Sequence, residues 1–163
     1  MPKFSNRRKV DFTPSQMFDL VADVERYPEF VPMCETLTVR SRQEQVQGEL
    51  LVATMGVGYK AIRESFTTQV KLMPEKQQII VAYLDGPFRR LENRWRFLPA
   101  HAGQPGCVVD FYLDYEFRSR MLAVLMGAVF DKAFRKFSAA FEDRAKQVYG
   151  LARVPVGAVP TLG

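Results

Sequence analysis

The stretch CVVDFYLDYEF, residues 107–117, decides the fold. Cys107, Val109, Phe111, Leu113, Tyr115 and Phe117 fall on one side of an extended chain, and Val108, Asp110, Tyr112, Asp114 and Glu116 on the other. This alternation predicts a strand with one buried and one wet face, as in an antiparallel sheet. The period then changes to 3.6. Phe130, Phe134, Phe137 and Phe141 recur at i, i+4, i+7 and i+11, which sets four rings on one face of a helix predicted over residues 120–149, with Gly150 as its C-terminal cap. A sheet with one wet face must cover the other, and the Phe-striped helix is the natural cover.

Upstream of residue 107 the period stays near 2. Strands are predicted within 37–39, 50–57, 59–72, 78–84 and 91–98, separated by turn-like segments at 45–48, 56–58, 73–76, 85–87 and 101–106. Residues 4–12 read as a further strand. Thr13 and Pro14 open a helix, as N-cap and first helical residue, and Met17, Phe18, Leu20, Val21 and Val24 form its apolar stripe. Tyr27-Pro28 is expected to stop that helix, with a second helical turn near residues 29–31. The order is strand, two helices, six strands and one long helix. It predicts an α+β fold: a curved antiparallel sheet of about seven strands around a long C-terminal helix, a geometry that encloses a cavity. Residues 1–150 are expected to form one domain and 151–163 (LARVPVGAVPTLG) a flexible tail.

Composition narrows the chemistry. The chain has 163 residues, one domain's worth, with a net charge of +5 and 12% aromatic residues, 13 of them Phe. Two well-separated Cys and one His argue against a zinc finger, a disulfide framework or a His-based metal site. The basic N-terminal residues Lys3, Arg7, Arg8 and Lys9 are not followed by an apolar signal segment. The longest apolar run, residues 121–130, is half of the ~20 residues that span a bilayer. The expected location is the cytoplasm, at most peripheral on the cytoplasmic face of the inner membrane.

Three segments carry a family resemblance. The run 27–34 (YPEFVPMC) is similar to the Y-P-x-F-x-P-x-C segment of the coenzyme Q-binding START-domain family. Residues 84–91 (LDGPFRRL), with Asn93, Trp95 and Phe97, resemble its G-P-F-x-x-L-x-x-x-W-x-F segment. Asp110-Phe111 and residues 115–119 resemble its last strand. The resemblance spans residues 3–149 and implies a helix-grip START-like fold. It also implies non-enzymatic binding of ubiquinone or a related polyprenyl quinone, supporting respiration and quinone biosynthesis, with no cofactor beyond that bound ligand. Relatives in the same superfamily widen the expectation to a ribosome-associating toxin that acts on the large subunit to block subunit joining, or to a polyketide cyclase or dehydratase.

The residues themselves favour binding over catalysis. His101 sits in a turn-rich loop, a poor place for a general base, and Cys34 and Cys107 read as small buried hydrophobes. Glu64 shares parity with Phe66, Thr68 and Val70. It either points a carboxyl into the chamber, where it could hold a ring oxygen, or sits wet at the mouth beside an Arg. Asn93 shares parity with Leu91 and Trp95 and can donate to a carbonyl without burying a charge. Tyr27, Phe30, Pro32, Phe88 and Trp95 offer flat, rigid surfaces, and Phe66, Phe111 and Tyr115 take inward parity. Met126 and Phe130 lie where a mouth is expected, whereas Phe134, Phe137 and Phe141 read first as core. Gly127, costly within a helix, suggests a close approach. The basic groups Arg7–Lys9, Arg89–Arg90 and Arg118–Arg120 flank apolar surface and suit a transient contact with anionic lipid. With the aromatics inward, RNA binding is disfavoured, and no DNA partner is expected.

Overall fold

The computed structural model describes residues 3–101 and 103–153, the side chains of 151–153 excepted. Strand β1 (Lys3–Val10) leads into helix α1 (Pro14–Ala22) and a 3₁₀ helix (Val24–Glu29). Six strands follow: β2 (Cys34–Gln45), β3 (Gly48–Tyr59), β4 (Ile62–Met73), β5 (Gln78–Asp85), β6 (Phe88–Pro99) and β7 (Cys107–Phe117). Helices α2 (Arg120–Arg135) and α3 (Phe137–Arg153) complete the chain. The seven strands form one sheet in the order β1-β7-β6-β5-β4-β3-β2, antiparallel throughout. This is the expected α+β helix-grip arrangement. β7 obeys its alternation at every position, with Cys107, Val109, Phe111, Leu113, Tyr115 and Phe117 all buried.

Helix α1 begins where Thr13 and Pro14 set it. The Thr13 hydroxyl accepts from the Gln16 backbone N–H at 3.0 Å, and the Gln16 side chain accepts from the Thr13 N–H at 2.9 Å. This reciprocal box satisfies two of the helix's free donors and aims Met17, Phe18, Leu20 and Val21 into the core. The helix ends at Ala22 rather than at Tyr27-Pro28. Pro28 instead lies within the 3₁₀ helix, whose 24–29 span replaces the expected turn at 29–31.

Three other expectations are corrected. The long C-terminal helix is two helices, broken at Lys136, whose backbone N–H reaches back to the carbonyls of Ala133 and Phe134. The tightened turn brings Phe134 and Phe137 edge to face, with centroids 5.1 Å apart, so the Phe stripe continues across the break. Gly150 does not cap α3, which continues to Arg153. The predicted tail lies outside the described residues beyond 153. The segment 56–58 is not a turn either. Gly56 and Gly58 sit inside β3, where a Cβ would collide with the Thr36 and Glu35 side chains beside a bulge in β2, and the chain reverses at Lys60 with φ 55°.

The wet face of the sheet is an ion-pair ladder. Arg90 meets Asp114 at 3.1 Å and Glu116 at 2.5 Å, Arg96 pairs with Asp110, and Arg7 lies 3.6 Å from Asp110. Exposed pairs of this kind add little stability, but they offset part of the positive charge that the sequence places at Arg7 and Arg90. The Thr13 box makes a direct prediction. Thr13→Ala should cost about 1 kcal/mol in a urea melt and Thr13→Ser much less; equal loss in both would assign the effect to packing rather than to the cap.

Candidate functional site

The concave face of the sheet and the helices enclose an interior cavity that offers about 80 Å³ to the centres of water-sized molecules. A dry apolar cavity of about 150 Å³ admits benzene, so a ring would enter this space only with some give in the wall, and a long lipid does not fit. The sheet contributes Leu37, Ala53, Met55, Phe66, Thr68, Val70, Ile79, Val81, Leu91, Asn93, Trp95, Phe111 and Leu113. Val24 and Tyr27 come from the 3₁₀ helix, Phe134 from α2, and Phe137 and Phe141 from α3.

Four of these side chains carry polar atoms that could hydrogen-bond a ligand, and three are already engaged. Trp95 Nε1 donates to Asn93 Oδ1 at 3.0 Å, while Asn93 Nδ2 donates to the Tyr112 carbonyl at 2.9 Å. The pair locks the indole, which lies nearly parallel to Phe97 (14°) and meets Phe111 and Phe141 edge to face at 4.7 and 5.0 Å. The Tyr27 hydroxyl donates to the Val21 carbonyl at 2.5 Å, and burial holds its pKa far above the ordinary phenol value. The fully buried hydroxyl without a partner among the described residues is that of Tyr115, whereas Thr68, 7% exposed, lines the cavity with a hydroxyl that no group among the described residues is seen to bond. An unpartnered buried hydroxyl is costly unless a ligand or water meets it. The wall thus offers one uncommitted neutral polar atom on an apolar surface and no charged group.

Of the sequence-predicted residues, Tyr27, Phe66, Asn93, Trp95 and Phe111 come together here. Asn93 serves to fix Trp95, a role its parity did not reveal. Pro32 and Phe130 line a smaller adjoining cavity of about 20 Å³, and Met126 and Phe130 a third of about 10 Å³. Phe30 packs outside the wall, edge to face on Tyr27 and Phe141, under the Arg144 guanidinium. Phe88 belongs to the packed core, touching Phe66, Tyr83, Tyr115, Phe117 and Phe130. Glu64 has the expected parity but lies toward the end of β4, opposite Val57 and half-buried, outside the cavity wall.

Tyr115 faces a different space. Its ring packs on Phe134, and its buried hydroxyl, without a partner among the described residues, borders a surface groove between β7 and α2. Burial pushes its pKa up to about 12. Gly127 lines that groove, and a Cβ there would meet nothing within 4 Å, so no close approach explains this glycine.

Sequence reasoning missed Thr68 as a contact and placed Phe134, Phe137 and Phe141 in the core alone. The signal for Thr68 was present: a lone hydroxyl at inward parity between Phe66 and Val70. His101 is exposed. Cys34 and Cys107 are buried free thiols whose pKa burial pushes up to about 11, which keeps them protonated and inert near neutral pH. No helix of the described residues is long and apolar enough to cross a membrane.

Known proteins share this architecture. The family model described as polyketide cyclase / dehydrase and lipid transport matches residues 10–142. A ribosome association toxin, RatA, from Vibrio cholerae is 37% identical over 150 residues, covering 92% of this chain and 99% of that protein. The coenzyme Q-binding protein COQ10 homolog B of Xenopus laevis, a mitochondrial protein, is 33% identical over 162 residues, covering 98% of this chain and 64% of that protein. The solution structure of an 18 kDa protein from Caulobacter crescentus superposes with a TM-score of 0.74 at 34% identity, covering 92% of this chain and 99% of that one. With its seven-stranded sheet closed over by α2 and α3, the chain belongs to the polyketide cyclase / dehydrase and lipid transport family and has that family's START-like helix-grip fold.

Proposed function

We propose that the protein binds ubiquinone or a related polyprenyl quinone without transforming it, holding the ring in the central cavity in support of respiratory electron transport and quinone biosynthesis. The observation that carries this reading is the cavity's lining: apolar and aromatic, with a single uncommitted hydroxyl at Thr68. A quinone is flat, neutral and apolar, with carbonyl oxygens that can accept one hydrogen bond. The Thr68 hydroxyl would donate to such a carbonyl and recover the cost of its own burial. Trp95, held by Asn93, would present a fixed face to the ring. The similarity to a coenzyme Q-binding protein over nearly the whole chain supports the same ligand.

A cyclase or dehydratase would need an acid and a base converging on the substrate. The one titratable group on the wall is Tyr27, whose proton is held by burial and whose hydroxyl is bonded to Val21, so the lining favours binding. Loading from a bilayer would be served by the outer side of α2. Met121, Val124 and Leu125 are exposed there, beside Arg118 and Arg120.

A second reading is favoured by one observation: the ribosome association toxin matches this chain over 99% of its own length. In that reading the protein binds the large ribosomal subunit and blocks subunit joining. Arg89 and Arg120, at the rim of the groove beside β7 and α2, would then be the phosphate contacts.

Trp95 is the only tryptophan and reports on the cavity directly. Titration with a short-chain ubiquinone analogue should quench its fluorescence saturably. Thr68→Val should weaken binding about fivefold, the worth of one neutral hydrogen bond, and Thr68→Ser should restore it. Absence of saturable quenching in the unmodified protein would refute the quinone reading. Under that reading the protein also stays in the supernatant when large ribosomal subunits are pelleted at physiological salt. Pelleting that is abolished by Arg89→Glu with Arg120→Glu would establish the ribosomal reading instead.

A further inference from the structure

The central cavity is the innermost of three apolar compartments that share walls. Met55, Phe66, Phe134 and Phe137 line both the central cavity and the second compartment. Met33, Val57 and Phe130 line both the second and the third. The third is lined by Tyr59, Ile62, Met126 and Val129, of which Met126 is buried and Tyr59, 42% exposed, reaches the surface. Among the described residues, no charged residue lines any of the three.

Two elements run alongside this series and match in length. On β3, Met55, Val57 and Tyr59 occupy successive same-face positions, about 13 Å of strand. On α2, Phe134, Phe130 and Met126 recur at intervals of four, about 12 Å of helix. Beyond the third compartment the apolar track continues on α2. Val129, Leu125 and Met121 also recur at intervals of four, and the last two are 57% and 71% exposed.

We infer that this seam beneath α2 is the binding path for the isoprenoid tail of a ligand whose ring fills the central cavity, with the tail leaving between Tyr59 and Val129. The inference rests on the quinone reading above. It also answers what the central cavity leaves open: that cavity is too small for a ring and a polyprenyl chain together, so the chain must go elsewhere. The outer compartments, about 20 and 10 Å³, each hold a water or two at most. A chain therefore enters the seam by moving α2 outward. The helix is suited to this, because only Met126, Phe130, Ala133 and Phe134 are buried along its 16 residues. Its ends are defined by the Ser119 cap and the Lys136 break.

The test uses two substitutions that fill the seam without touching the central cavity. Ala133→Leu fills the second compartment and Val129→Phe the third. Each is titrated through Trp95 quenching with a tail-less quinone and with a long-chain polyprenyl quinone, both delivered from the same neutral detergent, after a thermal melt has shown that the variant is folded. In the unmodified protein the tailed compound should bind on the order of tenfold more tightly or better, since buried methylenes add strongly to affinity. In both variants that advantage should vanish while the affinity for the tail-less quinone stays within about twofold. A tail advantage that survives in both folded variants overturns the seam and leaves quinone binding standing. A protein that binds neither compound overturns the quinone reading and the seam with it.

Discussion

At the centre of the molecule the Phe141 ring meets Tyr27, Phe30 and Trp95 edge to face, at centroid distances of 5.3, 5.0 and 5.0 Å. Each partner belongs to a different part of the chain: Tyr27 to the 3₁₀ helix, Phe30 to the residue that caps it, Trp95 to β6. Phe141 comes from α3. This junction fastens the C-terminal helix onto the sheet, and the cavity lies beside it because four large rings cannot also fill the hollow of a strongly curved sheet. Edge-to-face contacts fix ring orientation as well as burying area. Phe141 is 1% exposed and Trp95 3%, so the wall they form is rigid where the ligand's ring would rest.

The chemistry of the chamber follows from which polar atoms are already engaged. Burying a hydroxyl or amide without a partner costs more than its hydrogen bond returns when made. Trp95 donates to Asn93, which donates in turn to the Tyr112 carbonyl, Tyr27 is tied to Val21, and on the cavity wall only the Thr68 hydroxyl is without a partner among the described residues. Such a wall discriminates by shape and by one hydrogen bond. It suits a greasy ring with a carbonyl and leaves a proton-transfer substrate without a partner. The basic residues that suggested a charged partner are divided in turn. Arg90 is held by Asp114 and Glu116, Arg8 meets Glu142 at 2.6 Å, and Arg118 donates to the Gly86 carbonyl.

Periodicity made the architecture legible wherever one physical demand acted alone. β7 alternates because its two faces meet oil and water, and stands as read; the Phe stripe recurs because one helix face must cover the sheet, and it persists although the single helix expected to carry it is two. Where two demands competed, the reading failed. Gly56 and Gly58 resemble a turn by composition, but they sit in a strand because β2 passes too close for a side chain. The helix break at Lys136 has no proline or glycine to announce it. Parity also could not show depth. Glu64 and Thr68 share a strand face, yet one lies toward its end and the other on the cavity wall. Tyr115 takes the inward side of β7 and still faces away from the cavity, because α2 crosses over it.

A prenylated ring held in the chamber should co-purify with the protein from a quinone-producing host under native conditions, and mass spectrometry of an organic-solvent extract would detect it. The extract should contain a polyprenyl quinone in stoichiometric or near-stoichiometric amount, depleted in a variant whose chamber is filled by Ala53→Phe. An extract free of quinone and of any other prenyl lipid, from protein that is folded and undenatured, would contradict quinone binding in the chamber.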